Sequence, residues 1–342
     1  MRIRITSILL VLSFIAIPVF GQISLEWEML PQTDGDDLTV PFDKTNVKVH
    51  DFRINLGLPI VLSTTEIDGE QTPSLVLSNS LFYSNKHLDV NNWGVYSLNA
   101  AQQYDLELKD TYDRLISFGY SATLLKTISP KWSVLGIGGF TYAAINPDKF
   151  KMENMGIVAG LAGLHSWNSG WTVGFGLYYG RLTGADQLLP ILIVQWETEQ
   201  NTLDITLPSG ITYWHKFNQK VSVGLLAELT GDMYSDVGQK IDQYDKAGQL
   251  ESDGNNIGLA YSSVTFGPAA KISLMEGVAV ILRTGIAFAR RYQYWIPEKQ
   301  EVLRYQASPD YVNLTGHDYS GENVEFPIKS SGFIKITFGL GI

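Results

Sequence analysis

The sequence predicts an all-β protein, an antiparallel transmembrane β-barrel with an even number of strands. Three observations predict this fold. Apolar side chains alternate with small or polar ones, turn motifs recur at intervals suited to β-hairpins, and no convincing helical period lies between them. Strands in lipid need apolar residues only at every second position, which agrees with a mean hydropathy near zero. These patterns therefore indicate an architecture more directly than an activity.

Residues 1–21 are expected to be a cleaved signal peptide. Arg2 and Arg4 form a short basic start, and residues 5–20 are almost uninterrupted apolar, with a predicted cut before Gln22. This run is shorter than the roughly 20 residues that a membrane-spanning helix requires. The chain has no cysteine, which excludes lipoprotein acylation and disulfides. We therefore expect export to the bacterial outer membrane, with residues 22–342 forming a single barrel domain.

The alternation is clearest in residues 171–181, where large apolar side chains on one face oppose glycine, threonine and one tyrosine on the other. A soluble sandwich would bury the apolar face against a second sheet, whereas a barrel turns it towards lipid and leaves small residues for the lumen. The same division recurs in residues 115–124, 221–230 and 278–291. These four segments are predicted to be barrel strands.

The turns predict which end of the barrel faces which compartment. Short turns lie at 129–131, 168–170, 218–220 and 275–277, and the long connections are 85–112, 235–256 and 295–330. Outer-membrane barrels have short periplasmic turns and longer outside loops, so the short set is expected to face the periplasm. Five tryptophans near short connections are expected to form an aromatic girdle that contacts outer-membrane lipid. They are Trp132, Trp167, Trp171, Trp196 and Trp214.

The strand number follows from parity, because both ends of a bacterial barrel chain normally lie in the periplasm. The turns alternate correctly when residues 202–217 form two short strands broken at Pro208-Ser209-Gly210, and when residues 23–30 supply a first strand. This interpretation gives fourteen strands. The alternative, twelve strands, treats residues 202–217 as one strand and leaves the N-terminal segment out of the wall, but it fails to keep the turns on their expected sides.

Three charged residues are predicted to line the lumen: Glu228, Arg283 and Arg291. Alternation places them on the inward face, and an arginine facing lipid at the membrane midplane would cost about 2–4 kcal/mol. They could line a water-filled path, or they could pair with one another and fill a narrow barrel. The second interpretation is slightly favoured, because inward tyrosines such as Tyr178 also occupy space.

One stretch could suggest catalysis: His165 and Ser166, followed by Trp167-Asn168. Outer-membrane lipid hydrolases use a nearby histidine and serine, because the serine needs a base to accept its proton. Adjacent residues of a strand point to opposite faces, however, and the spacing differs from that of those enzymes. We therefore predict an ordinary hairpin and no enzymatic activity.

Other chemistries are not supported by the sequence. The net charge of −10 argues against nucleic-acid binding, which requires a basic face. The remaining histidines are scattered and lack the spacing of a metal site, and the glycine-rich segments lie within strands with no helix to follow them. No metal, cofactor or nucleic-acid partner is expected.

The chain resembles a family of Gram-negative outer-membrane β-barrels described only as a domain of unknown function. The resemblance is carried by Leu58-Pro59-Ile60-Val61-Leu62, by Leu189-Pro190 followed by Trp196, and by Leu207-Pro208 leading through Tyr213 to Asn218-Gln219-Lys220. It would cover most of residues 22–342. Such a family implies a barrel and supplies no catalytic residues.

The last strand also resembles the signal that the barrel-assembly machinery reads during biogenesis. Lys335, Leu340 and Ile342 fit that signal, whereas Thr337 stands where glycine is usual and Ile342 where an aromatic residue is usual. The assembly machinery is therefore an expected partner.

Two functions from different classes remain open. The first is a passive channel or transporter for a small or apolar solute, which the small and polar inward face favours. The alternative is a non-conducting structural or binding barrel whose long loops contact an outside partner. The lipid hydrolase is a third and weaker hypothesis.

Overall fold

The structure of the protein, a computed structural model, describes residues 22–34, 46–67, 70–91, 111–145, 152–167, 170–181, 186–234, 243–244, 250–251, 258–296, 301–302 and 325–341. The predicted signal peptide and Ile342 lie outside the described residues. Residues 152–154 form a short 3-10 helix, η1 (Met152–Asn154). The strands are β1 (Gln22–Asp34), β2 (Asn46–Ile67), β3 (Glu70–Asn91), β4 (Thr111–Ser129), β5 (Trp132–Ile145), β6 (Met155–Ser166), β7 (Trp171–Gly180), β8 (Gln187–Glu197), β9 (Asn201–Leu207), β10 (Gly210–Lys216), β11 (Val221–Tyr234), β12 (Gln243–Tyr244), β13 (Leu250–Glu251), β14 (Gly258–Met275), β15 (Val278–Ile296), β16 (Glu301–Val302), β17 (Glu325–Ile328) and β18 (Ser331–Leu340).

The strands β1–β11, β14, β15 and β18 close a 14-stranded antiparallel barrel. Each pairs with its neighbour in the chain, and β18 closes the ring by pairing with β1 from Ile23↔Leu340 to Met29↔Ile334. The short strands β16 and β17 pair only with β15, and β12 pairs with β13 as a separate ribbon. The predicted fold is thus confirmed.

The two features on which the predicted strand number depended are both present. β9 and β10 are separate strands that pair from Gly210↔Thr206 to His215↔Asn201, because the chain reverses at Pro208-Ser209. The segment before residue 46 supplies β1, which lies in the wall between β2 and β18. The alternative of twelve strands is therefore wrong.

The connections separate into two ends of the barrel. Six short ones, at 68–69, 130–131, 167–170, 198–200, 217–220 and 276–277, lie at what we call the turn end, together with the start of β1 and the end of β18. The turn at 276–277 is compact because Gly277 adopts a φ of +72°, in the left-handed region that favours glycine. The long connections 35–45, 92–110, 235–257 and 297–330 join strands at the opposite, loop end.

The β2–β3 hairpin extends beyond its neighbours at the turn end. β1 pairs with β2 only as far as Gln22↔Gly57, and β3 pairs with β4 only as far as Leu75↔Lys126. Residues 62–67 and 70–74 therefore form a two-stranded ribbon outside the wall. At about 3.3 Å per residue, the ribbon projects roughly 20 Å.

The two faces of the wall differ as the alternation predicted. On β6 and β7 the outward side chains of Leu161, Phe175 and Leu177 are 62%, 68% and 54% exposed, whereas inward Ala162 is 2% exposed. In the part of the chain that is described, no helix is long and apolar enough to cross a membrane.

Candidate functional site in the barrel lumen

The centre of the lumen is built around Arg283 of β15, which is 4% exposed. Its Nη1 donates to Glu228 Oε2 of β11 at 2.8 Å, and its Nη2 donates to the hydroxyl of Thr265 at 2.9 Å and to the carbonyl oxygens of Thr265 and Leu226 at 3.1 and 3.3 Å. The guanidinium carbon also lies 5.1 Å from the centre of the Phe333 ring. Charge-assisted hydrogen bonds of this kind are the strong ones, so Arg283 is held rigidly.

Lys335 of β18 extends this arrangement across the point where the barrel closes. Its Nζ lies 2.9 Å from Glu26 Oε2 on the adjacent strand β1 and 3.6 Å from Glu228 Oε2 on β11. β11 and β18 are not neighbours in the sheet, so the second contact passes through the interior. Lys335, which the sequence offered only as part of an assembly signal, is also a member of the lumen network.

Lys86 of β3 crosses the lumen nearer the loop end. Its Nζ lies 3.2 Å from Asp232 Oδ2 of β11 and 4.0 Å from Asp51 Oδ2 of β2, and 4.7 Å from the centre of the Tyr261 ring. Tyr234 donates to the same Asp232 oxygen at 3.0 Å. Because β3 and β11 are separated by several strands in either direction round the sheet, this ion pair joins opposite walls.

We call these residues the lumen network. Their charges alternate in space, and a carboxylate lies within 4.0 Å of each of the lysines and arginines among them. Such pairing matters in a desolvated interior, where an unpaired charge is costly. The lumen network consists of Glu26, Asp51, Arg53, Lys86, Glu228, Asp232, Arg283 and Lys335.

Apolar side chains cover the network at the loop end. They come from the loop ends of five different strands, and each is at most 2% exposed. Together with the ion pairs beneath them they occupy the part of the interior next to β1–β4 and β14. These residues are Leu30, Val47, Val49, Leu88, Leu115 and Leu259.

A polar cavity of about 260 Å³ lies between β11 and the strands β2 to β5. Arg53, Phe82, Ser117 and Asn154 are among the residues that line it. The Phe82 ring lies against Gly119 of β4, where a Cβ atom would collide with the ring, and the Arg53 guanidinium lies 5.8 Å from the ring centre. Phe82 therefore gives the cavity an aromatic wall, within a lining of polar and apolar side chains.

Several buried polar atoms of this cavity have no hydrogen-bond partner among the described residues. They are Arg53 Nε, Ser117 Oγ, and both Asn154 Nδ2 and Asn154 Oδ1. Asn154 is 1% exposed and Ser117 2%. Buried polar groups are normally paired, so these four atoms mark a place where further hydrogen bonds can be made.

The opposite sector of the lumen is filled differently. Ala162, Leu164, Ile191 and Ile193 of β6 and β8 form a buried apolar cluster, with Leu125, Leu135 and Tyr178 packed against it. Glycines make this packing close: a Cβ atom on Gly176 of β7 would lie 2.7 Å from Ala162 Cβ. This sector offers no group for chemistry.

Of the three predicted lumen residues, two contact each other inside the barrel and the third does not lie there. Glu228 and Arg283 form the ion pair already described. Arg291 is exposed, and its neighbour Arg290 is buried with 1% exposure, donating to Ser331 Oγ at 3.0 Å. The alternation shifts because Ala289 adopts a φ of +48° and the pairing with β14 is irregular between Ser262 and Val264. Arg291 therefore does not line the lumen as predicted.

All five predicted girdle tryptophans lie near the turn end, and four of them face outward. Trp132 and Trp167 are 54% and 47% exposed, and the rings of Trp171 and Trp196 stack with centres 5.5 Å apart. Trp214 differs from these four because it faces inward. It pairs with Gly224 on the inward face, where a Cβ atom on Gly224 would lie 2.7 Å from the indole ring.

His165 and Ser166 do not act on one another. The His165 ring packs between the rings of Trp132 and Trp167, with centres 4.6 and 4.4 Å away. Ser166 Oγ instead shares a hydrogen bond of 2.8 Å with Thr172 Oγ1. Within the described residues, no group of three histidine or acidic side chains is placed to hold a metal ion.

Most of the lumen network was missed by the sequence reasoning, although a signal was present. In β2, Asp51, Arg53 and Asn55 alternate with Phe52, Ile54 and Leu56. In β3, Ser84 and Lys86 alternate with Tyr83 and Asn85. Extending the alternation test to these two strands would have placed Arg53 and Lys86 inside.

Comparisons with solved structures give similar barrels at low sequence identity. The COG4313 outer membrane channel from Pseudomonas putida F1 is 10% identical, with 95% of this chain and 96% of that chain covered and a TM-score of 0.44. The translocator domain of the autotransporter NalP from Neisseria meningitidis is 10% identical, with 96% and 90% covered and a TM-score of 0.37. The P. putida toluene transporter TodX is 8% identical, with 97% and 92% covered and a TM-score of 0.37. Likenesses at this level say nothing of a shared function.

Curated protein sequences give no match to this chain. A family model does match, over residues 20–313, and it therefore spans most of the chain, including the first thirteen barrel strands. The chain belongs to the DUF6268 family, a domain of unknown function.

Proposed function

We propose that this chain is an integral outer-membrane barrel that acts as a solute-selective channel, closed at rest, and not as an open diffusion pore. The exposed apolar band on the outward faces of the strands supports a place in lipid, since contiguous apolar surface of this extent is rare on soluble monomers. The tryptophans at the turn end suit one membrane interface.

The closed state is inferred from the Lys86–Asp232 ion pair, whose Nζ and Oδ2 atoms lie 3.2 Å apart and belong to strands on opposite walls. Lys86 is 5% exposed. Ions would have to pass between these paired groups and the apolar side chains above them. A hydrophobic constriction excludes ions because it loses its water. A charged side chain that is already paired cannot coordinate a passing ion.

Planar-bilayer recording tests this proposal. We expect the wild-type chain to conduct little, because the network and its apolar cover block the path. The double variant Lys86→Met with Asp232→Asn removes the cross-lumen attraction without leaving an unpaired charge, and we expect a severalfold higher conductance.

A matched control removes an ion pair that lies outside the lumen network. Lys216 and Glu197 are 3.8 Å apart, and their side chains are 44% and 71% exposed. Lys216→Met with Glu197→Gln should leave conductance unchanged. A wild-type chain that already conducts as an open pore would contradict the proposal.

The alternative is a non-conducting structural or binding barrel. It is favoured by the same filling of the lumen, because paired charges and packed apolar side chains can serve as a plug. If the Lys86→Met, Asp232→Asn variant folds and conducts no more than wild type, the interior is a permanent plug and this alternative stands.

A further inference from the structure

We propose that the polar cavity in the lumen binds a small neutral polyhydroxylated molecule, of the monosaccharide or sugar-alcohol class. This inference rests on the proposed channel function, because it identifies the class of solute that the closed lumen accepts. It depends on three properties of the cavity: its size, its unpaired hydrogen-bonding atoms and its charge balance.

The size of the cavity suits a small solute. Its volume is about 260 Å³. At about 30 Å³ for each water-sized group, this space accommodates on the order of ten non-hydrogen atoms. A monosaccharide or a short sugar alcohol is of this size, whereas an oligosaccharide or a peptide is too large.

The unpaired atoms indicate a ligand that both donates and accepts hydrogen bonds. Asn154 Nδ2 and Arg53 Nε can only donate, Asn154 Oδ1 can only accept, and the Ser117 hydroxyl can do either. Hydroxyl groups satisfy all of them, because each hydroxyl has one donor and two acceptor sites. An apolar solute would leave every one of these buried atoms unpaired, so the lining disfavours it.

The charges of the cavity favour a neutral ligand. Four charged residues line it, and three already have close partners: Glu228 with Arg283 at 2.8 Å, Asp232 with Lys86 at 3.2 Å, and Arg181 with Asp186 at 2.8 Å. The fourth, Arg53, lies 3.9 Å from Asp51 Oδ2. An ionised solute would add an uncompensated charge to this balanced interior.

The aromatic wall suits the carbon face of a sugar ring. Two atoms of the Phe82 ring lie where a Cβ atom on Gly119 would be, so Gly119 leaves room for this ring. Sites for small molecules combine such an apolar surface with a few placed polar groups that fix orientation. Here Ser117 of β4 and Asn154, the last residue of η1, supply polar groups.

Calorimetric titration of the refolded barrel in a detergent without a sugar headgroup tests the proposal. The probes are glucose and mannitol, with glucose 6-phosphate and glucosamine as charged analogues and toluene as an apolar one. We expect saturable binding of the neutral pair, and at least about tenfold weaker binding of the charged and apolar probes. No saturable binding of either neutral probe, or equal binding of glucose 6-phosphate, would overturn the proposal.

Variants locate the binding. Asn154→Leu removes both unpaired amide atoms at nearly constant size, and we expect at least a tenfold loss of glucose affinity. Asn79→Leu is the matched control, since Asn79 lies on the outward face and accepts from Tyr120 Oη at 2.7 Å. An equal loss in both variants would place the binding elsewhere and overturn the inference.

A second variant keeps the inference testable if Asn154→Leu does not fold. Ser117→Ala removes only the hydroxyl at the same cavity wall, and folding is checked by the shift in gel mobility on boiling. If Asn154→Leu does not fold, unchanged glucose affinity in Ser117→Ala overturns the inference, and a severalfold loss supports it. Conductance measurements distinguish this inference from the proposed function. A wild-type barrel that is closed but binds no sugar would contradict only the proposed class of solute. A wild-type barrel that is open would contradict only the proposed function.

Discussion

Two sectors of the same barrel wall fill the lumen by different physical means. The network sector, formed by β1–β3, β11, β14, β15 and β18, carries inward charges such as Lys86 and Glu228. The apolar sector, formed by β4–β8, carries inward glycine, alanine, leucine and isoleucine. Long charged side chains reach across the interior, whereas the apolar side chains pack with one another within the stretch of wall from β4 to β8. Charge therefore joins opposite walls, and apolar packing joins strands of one sector.

The largest expected effect comes from breaking the network sector at Arg283. Arg283→Met leaves Glu228 and the carbonyl oxygens of Thr265 and Leu226 without their donor. Removing one partner of a buried ion pair costs about 3–5 kcal/mol. Urea unfolding of the refolded barrel in lipid measures the loss.

The double variant Arg283→Met with Glu228→Gln sharpens this result. It removes the carboxylate that the single variant leaves with Lys335 alone, 3.6 Å away, so it should be more stable than the sum of the two single losses predicts. A loss below about 1 kcal/mol in the single variant would mean that Lys335 and solvent compensate Glu228, whose side chain is 34% exposed.

The apolar sector is tested by Leu164→Ala. Leu164 is 7% exposed within the cluster, and truncation of a buried leucine costs about 2–4 kcal/mol, partly as the transfer of its methyl groups and partly as a cavity. Leu161→Ala is the matched control, because Leu161 is 62% exposed on the opposite face of the same strand. Equal losses in the two variants would show that this sector is not packed.

Close strand approach in the apolar sector is tested at two glycines. A Cβ atom on Gly176 would meet the carbonyl of Leu161 and the side chain of Ala162, so Gly176→Ala should destabilise the barrel by about 1–3 kcal/mol. A Cβ atom on Gly163 would meet nothing within 4 Å, so Gly163→Ala should change stability by less than about 0.5 kcal/mol. The same unfolding measurement compares them, and the reverse order would contradict the packing described.

The smallest effect is expected at the exposed pair Lys216–Glu197. Lys216→Gln removes an ion pair 3.8 Å long whose side chains are 44% and 71% exposed. Exposed pairs contribute between 0 and about 1 kcal/mol, and salt screens them. A larger loss would indicate that this rim is shielded from solvent.

Alternation along the strands predicted the fold, because a period of two and the parity of the turns depend only on backbone geometry. It also placed Glu228 and Arg283 on one face. The alternation failed at Arg291, because the backbone irregularity at Ala289 exchanges the inward and outward sides of the strand. No pattern of residues in the sequence predicts this irregularity. Trp214 was misplaced because proximity to a turn says nothing about which face a residue occupies. The contacts across the lumen could not be predicted, since they join strands far apart in the sheet.

The seam between β1 and β18 has a consequence for how the chain is completed. Glu26 belongs to the first strand, and its ammonium partner Lys335 to the last, 2.9 Å away. Before the last strand pairs, Glu26 accepts a hydrogen bond of 2.9 Å from the amide of Asn55 but lacks its ammonium partner. A polypeptide cut short of Lys335 would keep this carboxylate without a neutralising cation, so the ion pair forms only when the ring is closed.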